Sequence, residues 1–182
     1  FGDLGKALNQ VLSGFQIHAK AYDPWLPPSI LRENNVRPTT LDDVLSNSDF
    51  IFVVASVTDG NNGFLDAGAF ASMRKGAALI LLSRAEVVDF TALMDAVESG
   101  HILAASDVFP KEPLPDTHRV RTLDGFIRSA HRAGALDSAF KKMGEMVLED
   151  MDLMDRDLPP MRCKRAERET VSRMRSKPVS TN

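Results

Sequence analysis

The sequence predicts an α/β protein built on a doubly wound, Rossmann-like parallel sheet. Unbroken runs of bulky and β-branched residues at positions 50–54 and 77–82 are typical of strands buried on both faces. These runs alternate with segments whose apolar residues follow helical spacing, which is the pattern of βαβ units. Several predicted strands are followed by polar residues, and open α/β sheets bind ligands at those strand ends.

The chain starts with Phe1-Gly2-Asp3-Leu4-Gly5, which we interpret as the last five positions of a Gly-x-Gly-x-x-Gly phosphate loop. In such a loop, glycines let the backbone approach a pyrophosphate and let the helix pack on its strand, while the helix N-terminus offers free N–H groups. We therefore expect the first glycine to precede residue 1 and the sheet to lack its first strand. On that expectation, these 182 residues expressed alone fold poorly and are inactive, or they belong to a longer product.

The glycine loop leads into a predicted helix at 3–13, because apolar residues recur at helical spacing up to Gly14. Four further elements precede residue 50: a strand at 15–22, a short helix at 30–34 capped by Ser29, a brief strand at 36–37, and a helix at 41–47 capped by Thr40. Asp23 ends the predicted strand, eighteen residues after Gly5. An acid there binds the ribose hydroxyls in dinucleotide sites; the alternative is a turn aspartate before Pro24.

The second half of the chain continues the alternation. After the strand at 50–54 we predict a helix at 66–73, a strand at 77–82, a helix at 91–99 closed by Gly100, strands at 102–106 and 125–128, and a long helix at 136–154. The apolar positions of the long helix predict an ordinary core-facing stripe. They are Leu136, Phe140, Met143, Val147, Met151 and Met154.

Composition describes a globular protein that neither is disordered nor spans a membrane, with 43% hydrophobic and 26% charged residues and a net charge of −3. Residues 155–182 are basic, carrying eight Lys or Arg against four Asp or Glu. Such a tail can contact nucleic acid or an acidic partner, but we interpret it as a disordered, solvated extension and expect no nucleic-acid binding. The single cysteine, Cys163, excludes an internal disulfide or a cysteine metal cluster, which favours a cytoplasmic location, and no metal site is predicted.

Three polar residues follow successive predicted strands or lie in the loops after them: Arg84, Glu112 and His131. An arginine fork can bind a carboxylate, a histidine can exchange a proton near neutral pH, and a glutamate can orient the imidazole and favour its charged form. Taken singly, each has a structural explanation: a surface arginine, a loop carboxylate, and a histidine bonded to a carbonyl. Their shared position at strand ends favours a common site.

Three segments, at residues 83–89, 107–115 and 129–134, resemble in order and spacing the signatures of the NAD-dependent D-isomer-specific 2-hydroxyacid dehydrogenases. That family includes phosphoglycerate, glycerate/hydroxypyruvate and D-lactate dehydrogenases. The resemblance covers about residues 1–150, and the stretch Asp-Val-Phe-x-x-Glu-Pro-Leu-Pro is its most specific part.

The resemblance implies hydride transfer between NAD(H) and C2 of a small 2-hydroxy or 2-oxo acid. In that reaction, Arg84 would hold the substrate carboxylate and 2-oxo oxygen, His131 would be the general acid/base, and Glu112 its partner. The implied cofactor contacts are Gly2, Asp3, Leu4 and Gly5 at the pyrophosphate, Asp23 at the adenosine ribose, Leu82, Ser83 and Asp107 at the nicotinamide half, and Gly134. The carboxylate of Asp23 favours NAD over NADP because it would repel a 2′-phosphate.

The implied organisation is an NAD-binding domain at 1–135, a helix at 136–154 that completes a substrate domain, and the tail. The full-length form is expected to be a homodimer. The chain departs from the family pattern at Ala85, where a glycine is usual, at Ser129-Ala130, where Thr-Pro is usual, and at Ser56, where a proline is common. Two alternatives stay open: an NAD-sensing regulatory module and a non-catalytic remnant.

Overall fold

The computed structural model describes residues 1–58 and 60–164. The chain divides into two compact units, Phe1–Ala130 and His131–Asn182. The predicted division at residues 135 and 154 was one of function, into a cofactor domain, a substrate-domain helix and a tail, and it stays a prediction. Residues 165–182, which make up most of the predicted basic tail, lie outside the described residues.

The strands of the first unit form two parallel sheets. Strands β1 and β2, Lys20–Ala21 and Arg37–Pro38, make a two-stranded sheet. Strands β3 to β6 make a four-stranded sheet in sequential order: Phe50–Val53, Ala78–Leu81, Leu103–Ser106 and Phe126–Arg128. Within the described residues, no ladder joins the two sheets. This interrupted parallel arrangement confirms the predicted α/β class and matches a doubly wound sheet without its first strand.

The helices connect the strands as the alternation predicts. They are α1 at Asp3–Leu12, α2 at Pro28–Glu33, α3 at Leu41–Ser46, α4 at Ala67–Ser72 and α5 at Phe90–Glu98, with short 3₁₀ helices at Ala85–Val87 and Arg119–Arg121. Thr40 caps α3 as predicted, since its side chain accepts the N–H of Asp43. The predicted cap at Ser29 is wrong, because α2 begins one residue earlier at Pro28, whose fixed φ suits a first helical turn.

The hydrophobic core lies on one face of the four-stranded sheet. Its inward residues pack against α4 and α5, and Leu79 and Leu81 of β4 have no exposed surface. The opposite face carries exposed apolar side chains such as Phe50, Leu103 and Ile127. The strands are nevertheless well paired, because each of β3 to β6 is in parallel register with its neighbour.

The predicted strand at 15–22 is mostly wrong. Only Lys20–Ala21 pairs with another strand, because β2 is itself two residues long and offers no further ladder partner. The side chains of Phe15 and Ile17 are exposed. The apolar sequence there predicted burial that the described residues do not provide.

The second unit is built on α6, Asp137–Asp155. The prediction that its apolar stripe is ordinary core is wrong, because the side chains at all six positions are about half exposed or more. The C-terminal end of α6 is fixed by Asp150, whose carboxylate accepts the N–H groups of Met161, Arg162 and Cys163 at 2.7–2.8 Å. Burial raises the pKa of Asp150, but the three N–H donors lower it by more, so that its pKa is about 2.

Across residues 1–58 and 60–164, no helix combines the length and the apolar content that a bilayer crossing needs. The same residues contain no group of three His, Cys, Asp or Glu side chains that could hold a metal ion.

Candidate functional site

The polar residues that follow β4, β5 and β6 meet at one edge of the four-stranded sheet. Backbone hydrogen bonds continue the ladder past the strand ends: Leu82 donates to Val53 at 3.2 Å, Asp107 to Leu81 at 3.1 Å, and Ser129 to Ser106 at 3.0 Å. Because all four strands run the same way, the residues after them are neighbours in space. The structure therefore brings Ser83, Arg84 and Asp107 to the same edge, as the sequence predicted.

The glycine pair lies at the start of α1. Gly2 is its N-cap residue, and a Cβ placed on Gly2 would meet no atom within 4 Å. A Cβ on Gly5 would meet the ring of Phe1 at 3.3 Å and the side chain of Val54, just after β3, at 3.7 Å. Gly2 thus leaves its backbone accessible to a ligand, and Gly5 permits close packing of the helix on the strand end.

Asp23 lies beside the start of the glycine loop, although 22 residues separate it from Phe1. One carboxylate oxygen accepts the N–H groups of Trp25 and Leu26 at 2.8 and 3.1 Å, and the other lies against the backbone nitrogen of Phe1. Asp23 is therefore both a turn-forming aspartate and a neighbour of the phosphate loop, so the two interpretations of the sequence are compatible.

Ser83 and Arg84 follow β4 directly. The Ser83 hydroxyl oxygen is buried and has no hydrogen-bond partner, and the exposed Arg84 guanidinium donates from Nη1 to the Ser83 carbonyl at 2.8 Å. Ala85, where the dehydrogenases usually have glycine, begins a 3₁₀ helix and lies in the core. Its φ is not among the positive values, so this position does not need glycine.

Asp107 and Glu112 each accept a hydrogen bond from another residue of the first unit. Asp107 is 4% exposed, and the Ser129 hydroxyl donates to its Oδ1. Glu112 lies in an exposed loop, and its Oε1 accepts the N–H of Phe109 at 2.8 Å. Ser129, which the sequence marked only as a departure from Thr-Pro, keeps the hydroxyl that binds the buried carboxylate.

The comparison with known families identifies the domain that carries these residues. Residues 1–133 match the NAD binding domain of the D-isomer specific 2-hydroxyacid dehydrogenases. The chain belongs to this family. The resemblance stated from the sequence is thereby confirmed, and NAD is the cofactor of the matched domain.

Three similar proteins show the range of the family. A phosphoglycerate oxidoreductase from Rhizobium etli has a crystal structure that is 74% identical, with a TM-score of 0.86, covering 93% of this chain and 52% of that one. A D-3-phosphoglycerate dehydrogenase of Mycobacterium leprae is 31% identical over 153 residues, which is 84% of this chain and 29% of the enzyme. A glyoxylate reductase of Thermofilum pendens is 30% identical over 164 residues, covering 87% of this chain and 48% of the enzyme. The chain thus spans about half or less of the length of each.

Two features of the chain fit an NAD molecule, and neither depends on the family match. The backbone at Gly2 is open next to a helix N-terminus, which is where a pyrophosphate binds. The buried Ser83 hydroxyl lacks a protein partner, and a bound ligand can satisfy such a group. Asp3 and Leu4 lie in the first turn of α1 and are exposed, and Leu82 is partly buried beside Ser83.

His131 and Gly134 belong to the second unit of the dehydrogenase chain. Both are exposed, and His131 has a left-handed backbone with φ of +54°. A histidine in this conformation is uncommon, and strained backbone concentrates at functional positions. The roles predicted for His131 and Gly134 stay predictions.

Another residue that the sequence did not single out shapes the loop after β3. The side chain of Asn61 donates from Nδ2 to the Ser56 carbonyl at 2.7 Å and accepts the N–H of Thr58 at 2.8 Å. This bridge defines the loop where Ser56 replaces the usual proline. The sequence shows Asn61 only as an asparagine in a polar loop, and asparagine is common in loops.

Proposed function

We propose that the protein carrying this chain is an NAD-dependent oxidoreductase that interconverts small 2-hydroxy and 2-oxo acids of D configuration. The observation that carries the proposal is that Arg84 and Asp107 follow neighbouring parallel strands, at the same edge of the sheet, in a chain that belongs to the dehydrogenase family. Because the chain spans only part of its relatives, the activity of the whole protein is our inference.

The chain's own residues supply binding and proton transfer in this proposal. Arg84 binds the substrate carboxylate and the 2-oxo oxygen, since its exposed guanidinium has more N–H donors than the one used by the Ser83 carbonyl. His131 gives a proton to the forming alkoxide in reduction and takes it back in oxidation. Glu112 orients the imidazole. When bound, NAD(H) supplies or accepts the hydride.

We also propose the cofactor contacts that the family resemblance implies. Gly2, Asp3, Leu4 and Gly5 hold the pyrophosphate at the α1 N-terminus, and Asp23 accepts the ribose hydroxyls. The nicotinamide half of NAD is bound by Leu82, Ser83, Asp107 and Gly134. The position of Asp23 beside the loop start supports NAD over NADP, since a carboxylate there would repel a 2′-phosphate.

The proposal also includes the location, the oligomeric state and the substrate class of the protein. We place the protein in the cytoplasm, because its single cysteine is free and exposed. We assign it a homodimeric full-length form and a small 2-hydroxy or 2-oxo acid as substrate, with residues 136–154 completing the substrate domain. No nucleic-acid or membrane partner is assigned.

The deciding experiment is NAD(H)-linked turnover on a panel of 2-oxo and 2-hydroxy acids, with His131→Ala compared with the protein carrying this chain unaltered. We expect kcat to fall by about 10²-fold or more while NADH binding is retained, because positioned proton transfer contributes that much.

A matched control is His18→Ala, which removes an exposed histidine from the same chain and should leave turnover unchanged. NADH binding without any turnover that depends on His131 would contradict the catalytic assignment. That outcome would favour a nucleotide-sensing module or a non-catalytic remnant.

A further inference from the structure

The loop between β5 and β6 presents Glu112 on a backbone with little regular structure. The Glu112 carboxylate accepts the Phe109 N–H, so the loop closes on its own side chain. Phe109 itself is buried against the ring of Phe90, with centroids 5.6 Å apart. The position of the carboxylate therefore depends on where the backbone after Glu112 is held.

Arg121 holds that backbone. Its Nε donates to the carbonyl of Pro115 at 2.8 Å and its Nη2 to the carbonyl of Leu114 at 2.7 Å. Nη2 also lies 3.3 Å from the fully exposed carboxylate of Asp116, which contributes little in water. One planar fork thus fixes two successive carbonyls, two and three residues after Glu112.

The 3₁₀ helix that carries Arg121 is anchored to the body of the first unit. Val120 is fully buried in the core, and its N–H donates to Nδ1 of His118 at 3.3 Å. The ion pairs of Arg119 with Asp95 and Glu98 of α5 are exposed and contribute little in water, so the burial of Val120 is the anchor. Arg121 therefore extends from a fixed element to the loop that carries Glu112.

We propose that Arg121 is a positioning residue for Glu112. By holding the carbonyls of Leu114 and Pro115, the guanidinium sets the course of the loop and keeps the Glu112 carboxylate on the Phe109 N–H. The catalytic consequence rests on the proposed function, in which Glu112 orients His131. Lysine cannot replace the arginine, because an ammonium group cannot present two donors in a fixed plane.

The direct test is amide hydrogen exchange of Phe109, measured by NMR in the full chain for Arg121→Lys and Arg119→Lys. We expect Phe109 to exchange about tenfold faster in Arg121→Lys, since charge-assisted hydrogen bonds to the carbonyls are lost. Arg119→Lys should leave it unchanged, because Arg119 makes exposed ion pairs only.

Hydrogen exchange of the β4 amides distinguishes a general loss of stability from a loss of positioning at Glu112. If Phe109 and β4 accelerate together in Arg121→Lys, Arg121 has a structural role only and the proposal is wrong. It is also wrong if Phe109 is unaffected, or if Arg119→Lys has the same effect.

The second readout is the pH profile of kcat/KM for reduction in the protein carrying this chain. Arg121→Lys should move the loss of activity to lower pH, in the same direction as Glu112→Gln, and the double variant should move it no further. If turnover does not depend on His131, the proposed function fails while the exchange rates still decide the role of Arg121. If turnover depends on His131 and Glu112 but Arg121→Lys keeps the normal profile, only the positioning role fails.

Discussion

Residues 41–130 contain the four-stranded sheet and the hydrophobic core, whereas residues 1–40 contain the two-stranded sheet and rely mainly on polar contacts. The core cluster runs from Leu45 to Phe126, and the large apolar side chains buried in residues 1–40 are Leu31 and Val36. The loop after β1 is instead held by Asp23, which binds two backbone N–H groups.

A single carboxylate, Asp43, joins the elements around the two-stranded sheet. The carboxylate accepts hydrogen bonds from Arg37 and Thr39 and lies 3.3 Å from Nζ of Lys20 in β1, which also donates to the Asp43 backbone carbonyl. The two halves carry different parts of the candidate site. The side proposed to bind substrate and nicotinamide depends on apolar burial, and the side proposed to bind adenosine depends on ionised groups that acid can neutralise.

The largest effect should come from the core. Leu79→Ala removes a side chain with 0% exposure from the middle of β4, which we expect to cost about 2–5 kcal/mol of unfolding free energy. Leu103→Ala, on the opposite face of the same sheet and 50% exposed, should cost less than about 1 kcal/mol. Urea unfolding of the full chain measures both. Equal costs would show that burial on one face of the sheet does not determine its stability.

The glycine loop allows a test of binding that leaves folding untouched. Gly2→Ala places a Cβ where no protein atom lies within 4 Å, at a φ of −75° that any residue adopts, so stability should not change. A ligand pyrophosphate needs that space, and we expect NADH affinity to fall about tenfold or more.

Gly14→Ala is the matched control for Gly2→Ala. A Cβ there also meets nothing, and Gly14 lies beyond the C-terminal end of α1. NADH titration by fluorescence should separate the two variants. Unchanged affinity in Gly2→Ala would remove Gly2 from the cofactor site.

The comparison of halves also explains which parts of the fold could be predicted from the sequence. The predicted bounds of strands β3 to β6 agree with the structure to within one or two residues, because unbroken apolar runs mark β3 and β4 and the alternation of strands and helices marks β5 and β6. The predicted strand at 15–22 has apolar residues at alternate positions, but pairing depends on a partner strand and not on composition. The stripe of α6 was misjudged for the same reason, since helical spacing predicts an apolar face and not what covers it.

The candidate site divides in the same way. The strand-end positions of Arg84 and Asp107 could be predicted, because parallel strands bring their ends to one edge. The contact of Ser129 with Asp107 could not, since the two are 22 residues apart and neither residue type requires the other. The hydrogen bonds from Arg121 to backbone carbonyls could not be predicted either, because every residue has a carbonyl and the sequence does not show which one accepts.

The smallest predicted effect is the loss of stability in acid that depends on the Asp43 carboxylate. The hydrogen bond from Thr39 lowers the pKa of Asp43, burial opposes it, and Asn47, Lys20 and Arg37 lower it further, so that it lies well below the ordinary 3.8. The folded state therefore binds fewer protons than the unfolded state. The contribution of Asp43 to stability is fully present above about pH 4 to 5 and is lost as the pH falls below that range.

Asp43→Asn should lower stability at neutral pH and flatten the loss of stability in acid, and Asp42→Asn, on an exposed neighbour in α3, should do neither. Trp25 is the single tryptophan and lies in the loop after β1, so its fluorescence follows the two-stranded half, while amide exchange in β4 follows the core. If the halves are held as described, Trp25 responds to acid before β4 does, and the interval shrinks in Asp43→Asn. Simultaneous responses in the unaltered chain would mean that the core and the polar half unfold as one unit, and that ionised carboxylates do not set the stability of the adenosine side.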